Sequence, residues 1–239
     1  MTELPRFDDS DVDRILCVVA HPDDMEYGGS AAVAKWTDEG KEVSYLLLTR
    51  GEAGIRNMSP DEVAALRAEE QRKACTIVGV DDLEILDFPD GLLEADHELR
   101  RAIARTIRRF RPNAVVITNF DLKVGWGLNH VDHRNAGIAT VDAIRDADNP
   151  WVFTELKDDE GLEAWKADRL LINGAEPTHA VALTAEHVDR GVRSLEAHKA
   201  YLEALPDHPA PKDMIPDITT AGGEAAGVDY ALPITVVGM

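Results

Sequence analysis

Val18-Val19-Ala20-His21-Pro22-Asp23-Asp24-Met25-Glu26-Tyr27-Gly28-Gly29 is the stretch whose reading decides the fold. The apolar run from Ile15 to Ala20 has the composition of a strand covered on both faces, as in a parallel sheet. It stops at one imidazole and two carboxylates, after which a helical pattern begins at Glu26. In open α/β sheets, ligands bind at loops leaving the carboxyl ends of strands. This loop offers metal-ligating groups in place of the glycines that cradle a phosphate. His21 and Asp24 can face one point across the turn while Asp23 aims elsewhere. Pro22 stiffens the turn through its fixed φ and missing amide proton.

Downstream, the predicted elements alternate. A strand over 14–20 is followed by a helix over 26–39, with Gly40 as its left-handed stop, and a strand over 42–49. Thr49-Arg50-Gly51-Glu52-Ala53-Gly54 makes a turn-rich loop at the same end of the sheet. Ser59-Pro60-Asp61-Glu62 starts a helix that runs to about Val78: serine as N-cap, proline at N1, acids in the first turn. A strand over 83–88 ends in Pro89-Asp90-Gly91, and a helix over 94–110 ends in Arg105, Arg108 and Arg109. Those arginines read as an exposed face matched to the helix dipole. A strand over 114–119 and a loop with Gly125, Trp126 and Gly127 lead to His130-Val131-Asp132-His133 and a helix over 131–146.

Past Asn149-Pro150 the pattern loosens. Strands are expected over 168–173 and 180–184, a helix over 186–205, a loop over 206–228 and an edge strand over 230–237. The whole is an α/β chain with a mostly parallel sheet and right-handed crossovers. It is expected to form a single domain over 1–239, with a core at about 14–147 and an extension of the same domain over 148–239. With strand order 3-2-1-4-5, the loops after strands 1 and 4 flank one switch-point crevice, which brings the two histidine clusters together. No Gly-x-Gly-x-x-Gly follows strand 1, so a dinucleotide site is not expected.

At 239 residues the chain is long enough to bury a large core without disulfides, and Cys17 and Cys75 form no zinc-ribbon or redox pattern. A formal net charge of −20 argues against nucleic acid and anionic membranes as partners. No apolar run reaches the ~18 residues of a membrane span. The acidic segment over 1–13 carries no secretory pattern, so a cytoplasmic protein is expected, with no membrane insertion. A homo-oligomer is compatible with this composition.

Two histidines and one carboxylate with an open fourth position describe a hydrolytic zinc site, and His21, Asp24 and His133 are the expected ligands. Zinc lowers the pKa of its water from about 15.7 to ~7. Asp23, the spare carboxylate, is the expected proton acceptor, and burial would keep it basic beside a dication. Asp132 is expected to pair with the His130 ring and keep it cationic, as oxyanion stabiliser or acid. The same ligand set occurs in non-haem Fe(II) oxygenases, whose frames are usually β-sandwiches; affinity order leaves Fe2+ open as the ion in the cell.

Ala20-His21-Pro22-Asp23-Asp24 with Glu26, Thr49-x-Gly51-Glu52-x-Gly54, Arg67 with Glu70, and His130-x-Asp132-His133 together resemble the PIG-L/LmbE-like family of zinc-dependent de-N-acetylases. The resemblance runs from about Arg14 to Gly137. It implies a three-layer Rossmann-like fold with the metal site at the C-terminal ends of strands 1 and 4. It implies Zn2+ on His21, Asp24 and His133, Asp23 as general base, His130 as electrophile oriented by Asp132, and Arg67 in contact with substrate. The implied reaction removes the N-acetyl group from an N-acetylglucosamine-type amino-sugar conjugate. Amidase action on a mycothiol-type S-conjugate and a non-catalytic sugar-binding role are the alternatives. A tyrosine that some members carry is Leu128 here, with Trp126 or Tyr27 as candidates for its role. Ser194-Leu195-Glu196-Ala197-His198 matches the family's late helix only loosely, and His179 and His198 read as core or surface residues.

Overall fold

The computed structural model describes residues 3–125 and 127–239. Trp126 lies outside the described residues. β1 (Arg14–Val19), α1 (Gly29–Asp38), β2 (Glu42–Thr49), α2 (Pro60–Val78), β3 (Asp82–Phe88), α3 (His97–Phe110) and β4 (Ala114–Thr118) alternate along the first half. A small hairpin of β5 (Lys123–Val124) and β6 (Gly127–Leu128) precedes α4 (Val131–Asp148). α5 (Glu155–Asp158), β7 (Arg169–Asn173), β8 (His179–Leu183), α6 (Ala185–Glu196), α7 (Lys199–Glu203), α8 (Pro211–Ala226) and β9 (Tyr230–Gly238) complete the chain.

The seven-stranded sheet has the order β3-β2-β1-β4-β7-β9-β8. Pairs β3–β2, β2–β1, β1–β4 and β4–β7 are parallel, while β9 runs antiparallel to both β7 and β8. The expected 3-2-1-4-5 order therefore holds for the parallel part. β1 alternates its side chains between two cores. Ile15, Cys17 and Val19 pack toward α1 and α6, whereas Leu16, Val18 and Ala20 pack toward α3 and α4. Burying each such Leu, Ile or Val contributes roughly 1.5–3 kcal/mol. The strand is thus anchored on both faces, and the loop leaving it starts from a fixed point.

Several expectations are corrected. The helix after β1 does not begin at Glu26: Asp24–Glu26 form one 3-10 turn, and Gly28, at φ +95°, separates it from α1. β9 is not an edge strand but lies between β7 and β8. The expected loop over 206–228 contains α8, with Pro211 in its first turn and Gly227 at its left-handed end. Its glycines are packing residues: a Cβ on Gly222 would come within 2.2 Å of the Ala231 carbonyl oxygen. The helix over 186–205 breaks at Ala197 and His198 into α6 and α7. Arg108 is not on an exposed face. It is buried and donates to the carbonyls of Asp146, Ala147, Asn149, Val152 and Phe153, closing the C-terminal end of α4.

Candidate active site

Loops after β1, β3 and β4 meet at the carboxyl edge of the sheet. The Asp23-Asp24 loop follows β1, Pro89-Asp90-Gly91 follows β3, and Asn129-His130 closes the long connection from β4 to α4. Register places β1 between β2 and β4, so His21 and the start of α4 become neighbours although far apart in sequence.

His21, Asp24 and His133 converge as expected. The Nδ1 of His21 lies 3.3 Å from the Nε2 of His133. One carboxylate oxygen of Asp24 is 3.1 Å from that His133 nitrogen, and the other is 3.5 Å from the His21 Nδ1. Ligand atoms on a tetrahedral ion with bonds of about 2.0–2.1 Å stand about 3.3–3.4 Å apart, so the spacing fits one ion. The donor chemistry fits as well. The Nε2 of His21 lies 3.1 Å from Asp132 and 3.0 Å from Asp90, both carboxylate oxygens, so it carries the proton. The Nδ1 of His133 lies 2.9 Å from the Oδ1 of Asn129 and donates to it, since the Asn129 amide nitrogen is held by the Asn119 carbonyl. Each ring therefore turns its bare nitrogen to the shared point, which is the outer-shell arrangement of metal-bound histidines.

A second grouping, His21, His130 and Asp132, also brings its donor atoms within 4.8 Å. It suits an ion less well. The Asp132 carboxylate already accepts from the amides of Gly91 (2.6 Å) and Leu93 (3.1 Å) as well as facing His21.

Asp132 is thus not the partner expected for the His130 ring; its carboxylate supports His21. His130 is instead the N-cap of α4, its Nδ1 accepting from the Asp132 amide at 3.2 Å. That bond leaves the remaining proton on Nε2. Burial, then the charge of His21, lowers the pKa of His130, and the helix N-terminus also disfavours an imidazolium. The expected cation is replaced by a neutral ring with one N–H to donate.

Asp23 is buried and adopts φ +89° and ψ −21°, a left-handed conformation rare for a residue with a side chain. The result is that two consecutive carboxylates diverge. Asp24 meets the histidines, and Asp23 accepts from the Nη2 of Arg67 at 2.8 Å. Burial pushes the Asp23 carboxyl up to about 7, with the Asp24 charge adding to it and the Arg67 charge opposing it.

Arg67 is only 2% exposed. Its guanidinium donates to the carbonyls of Pro22 and Gly51 and to Asp23, and the Tyr201 ring covers it at 3.9 Å. Its Nη1 and Nη2 donors turn to the loop, while its Nε has no hydrogen-bond partner among the described residues.

Sequence reasoning missed Asp90, which joins His21 and accepts from the Ala53 amide at 2.8 Å, and Asn129. The signal for Asp90 was its position in a turn at the carboxyl edge. Leu128, in the position of the family tyrosine, is exposed. Tyr27 donates its hydroxyl to the Nε2 of His208 at 2.8 Å, because the other His208 nitrogen donates to the Pro209 carbonyl. His198 is a core residue and His179 is half-buried against Phe7.

Fold and site together define an α/β protein with a cluster of two histidines and a carboxylate at the carboxyl edge of its sheet. The PIG-L family, described as GlcNAc-PI de-N-acetylase, matches residues 16–144, and the chain belongs to this family. A diacetylchitobiose deacetylase of Thermococcus kodakarensis is 37% identical over 143 residues, which cover 59% of this chain and 52% of that protein. The matched region thus spans about half the length of that curated relative. Among solved structures, the N,N'-diacetylchitobiose deacetylase of Pyrococcus horikoshii superposes with a TM-score of 0.84 at 22% identity, covering 96% of this chain and 85% of that one. GalB of Pseudomonas putida, a 4-carboxy-2-hydroxymuconate hydratase, superposes at 0.76 with 19% identity, covering 94% and 96%. The likeness to a hydratase shows that the fold alone does not set the reaction. Among the described residues, no helix is long and apolar enough to cross a membrane.

Proposed function

We propose that this chain is a metal-dependent hydrolase that removes the acetyl group from an N-acetylglucosamine-type amino sugar, giving acetate and a free amine. The observation that carries the reading is the convergence of His21, Asp24 and His133, with the Asp23 carboxylate outside that cluster and held by Arg67. Membership of the PIG-L family and the deacetylase relative support the substrate class.

His21, Asp24 and His133 would hold the ion. Zinc bound there supplies acidified water at neutral pH and polarises the acyl oxygen. Asp23 accepts the proton from the attacking water and returns it to the departing nitrogen as the C–N bond breaks. Its basicity, raised by burial, suits that exchange near neutrality. The Nε2–H of neutral His130 donates to the acyl oxygen as charge develops on it, which requires no imidazolium. Arg67 keeps Asp23 aimed, and Asp90 and Asp132 keep His21 turned.

The test is acetate release by the zinc-loaded protein from a panel of N-acetylglucosaminides, diacetylchitobiose among them, with a thiol conjugate of glucosaminyl-inositol as the competing amide. Turnover on the acetamides is expected. Asp23→Asn should lower kcat by about 10²–10⁴ with the metal retained. A metal-loaded protein that releases no acetate from the panel contradicts the reading, and loss of metal in Asp23→Asn would make Asp23 a ligand.

A further inference from the structure

We infer that Gln71 is a positioning residue for Asp23, holding the backbone of that residue in its left-handed conformation from the buried face of α2. The inference rests on the reading of Asp23 as the proton acceptor, but its first readout does not.

A side-chain-bearing residue stays at φ +89° only when its surroundings over-determine it. Two residues one turn apart on α2 do so here. Arg67 binds the Pro22 carbonyl and the Asp23 carboxylate. Gln71 accepts from the Asp23 amide at 3.0 Å. That contact fixes which end of the Gln71 amide is which, because a backbone N–H can only donate. Its other end donates to the Oε1 of Glu26 at 3.1 Å. The Glu26 amide in turn donates to the Asp23 carbonyl at 2.9 Å. The first and last residues of the turn are thereby tied to one side chain, and the loop closes into a ring.

The ring lies wholly inside the protein. Gln71 is 1% exposed and Glu26 0%. Breaking it leaves the Asp23 amide without an acceptor in a place where such a group costs most. The backbone would then relax toward an ordinary conformation and swing the Asp23 carboxylate. The metal cluster would keep its own ties, since Asp24 is held by the His21 amide at 2.8 Å and by His133. A specific loss of proton transfer, with metal binding intact, is the signature of this arrangement.

The experiment compares wild type with Gln71→Met, which keeps the bulk and removes the acceptor, and Gln71→Glu, which keeps an acceptor oxygen but buries a charge. Amide hydrogen exchange at Asp23, read by NMR on the metal-loaded protein, is expected to quicken at least about tenfold in Gln71→Met. In the same variant kcat should fall about 100-fold, the scale of an ångström's misplacement, with KM within about twofold. The visible spectrum of the cobalt-substituted protein should stay unchanged. Gln71→Glu should recover most of kcat although it melts below Gln71→Met, an order that a purely stabilising side chain would reverse. Unchanged Asp23 exchange in Gln71→Met, or kcat that follows melting temperature across the two variants, overturns the inference. If wild type proves inactive on every acetamide, the functional reading fails alone, and the exchange measurement still decides the role of Gln71.

Discussion

The Nδ1 of His21 and the Nε2 of His133 face each other at 3.3 Å from positions 112 residues apart. Two bare lone pairs repel at that distance, so without an ion a proton must sit between them. The surrounding carboxylates meet that demand. Burial works against charging His21, but Asp24, Asp132 and Asp90 outweigh it and hold its pKa well above the usual histidine range. His133 is likewise raised by Asp24 in spite of burial.

An ion taking these ligands displaces those protons. Because both pKa values are raised, the metal-free cluster is protonated near neutrality, and zinc binding at pH 7 releases protons. Affinity then falls as pH drops. Titration calorimetry in buffers of differing ionisation enthalpy measures the release; an enthalpy independent of buffer would contradict it.

Arg67 and Asp23 form an ion pair with both side chains 5% exposed or less. Removing one partner of such a pair costs about 3–5 kcal/mol. Arg67→Met is therefore expected to destabilise the fold on that scale and to lower kcat by freeing Asp23. KM should change little, because the guanidinium faces the loop. A variant with raised KM and unchanged kcat would return Arg67 to the substrate-contact role that the family resemblance implied.

His198 is 0% exposed, and neither ring nitrogen has a hydrogen-bond partner among the described residues; the nearest charged group to its Nε2 is the Glu26 carboxylate at 3.7 Å. Burial, then the charge of Arg67, pushes its pKa down to about 3. The unfolded chain, with an ordinary histidine near 6.5, binds more protons across that interval. Stability from this group is thus present above pH 6.5 and is lost as pH falls toward 3, at about 1.4 kcal/mol per unit and a few kcal/mol at most. Denaturant melts at pH 7 and pH 4 should show a smaller acid loss in His198→Phe than in wild type. Equal losses would contradict this and show that the Glu26 carboxylate, 3.7 Å away, or water stabilises the protonated ring in the folded chain.

Much of this was legible in the chain. β1 and β2 announce themselves as unbroken apolar runs, and Ser59-Pro60 marks the start of α2 by local chemistry alone. The convergence of His21, Asp24 and His133 was legible because the segments that carry them leave the adjacent strands β1 and β4 at the same edge of the sheet. What could not be read was orientation. Asp132 could face either His130 or His21, and the choice depends on the amides of Gly91 and Leu93, which come from another strand's loop. Asp90 was one acid among many until β3 brought its turn beside His21. α8 was hidden because Pro211 and its glycines are breakers in isolation, yet one starts the helix and the others let it approach β9. Arg108 looked solvated because sequence does not show that the end of α4 lies against it.

The metal content of the purified protein, with His21→Ala and His133→Ala measured beside it, tests the site most directly. One zinc or iron per wild-type chain is expected, with each single variant losing the ion and all acetate release. A variant lacking either imidazole that still carries a full equivalent of metal would contradict the shared site, and the proposed hydrolysis with it.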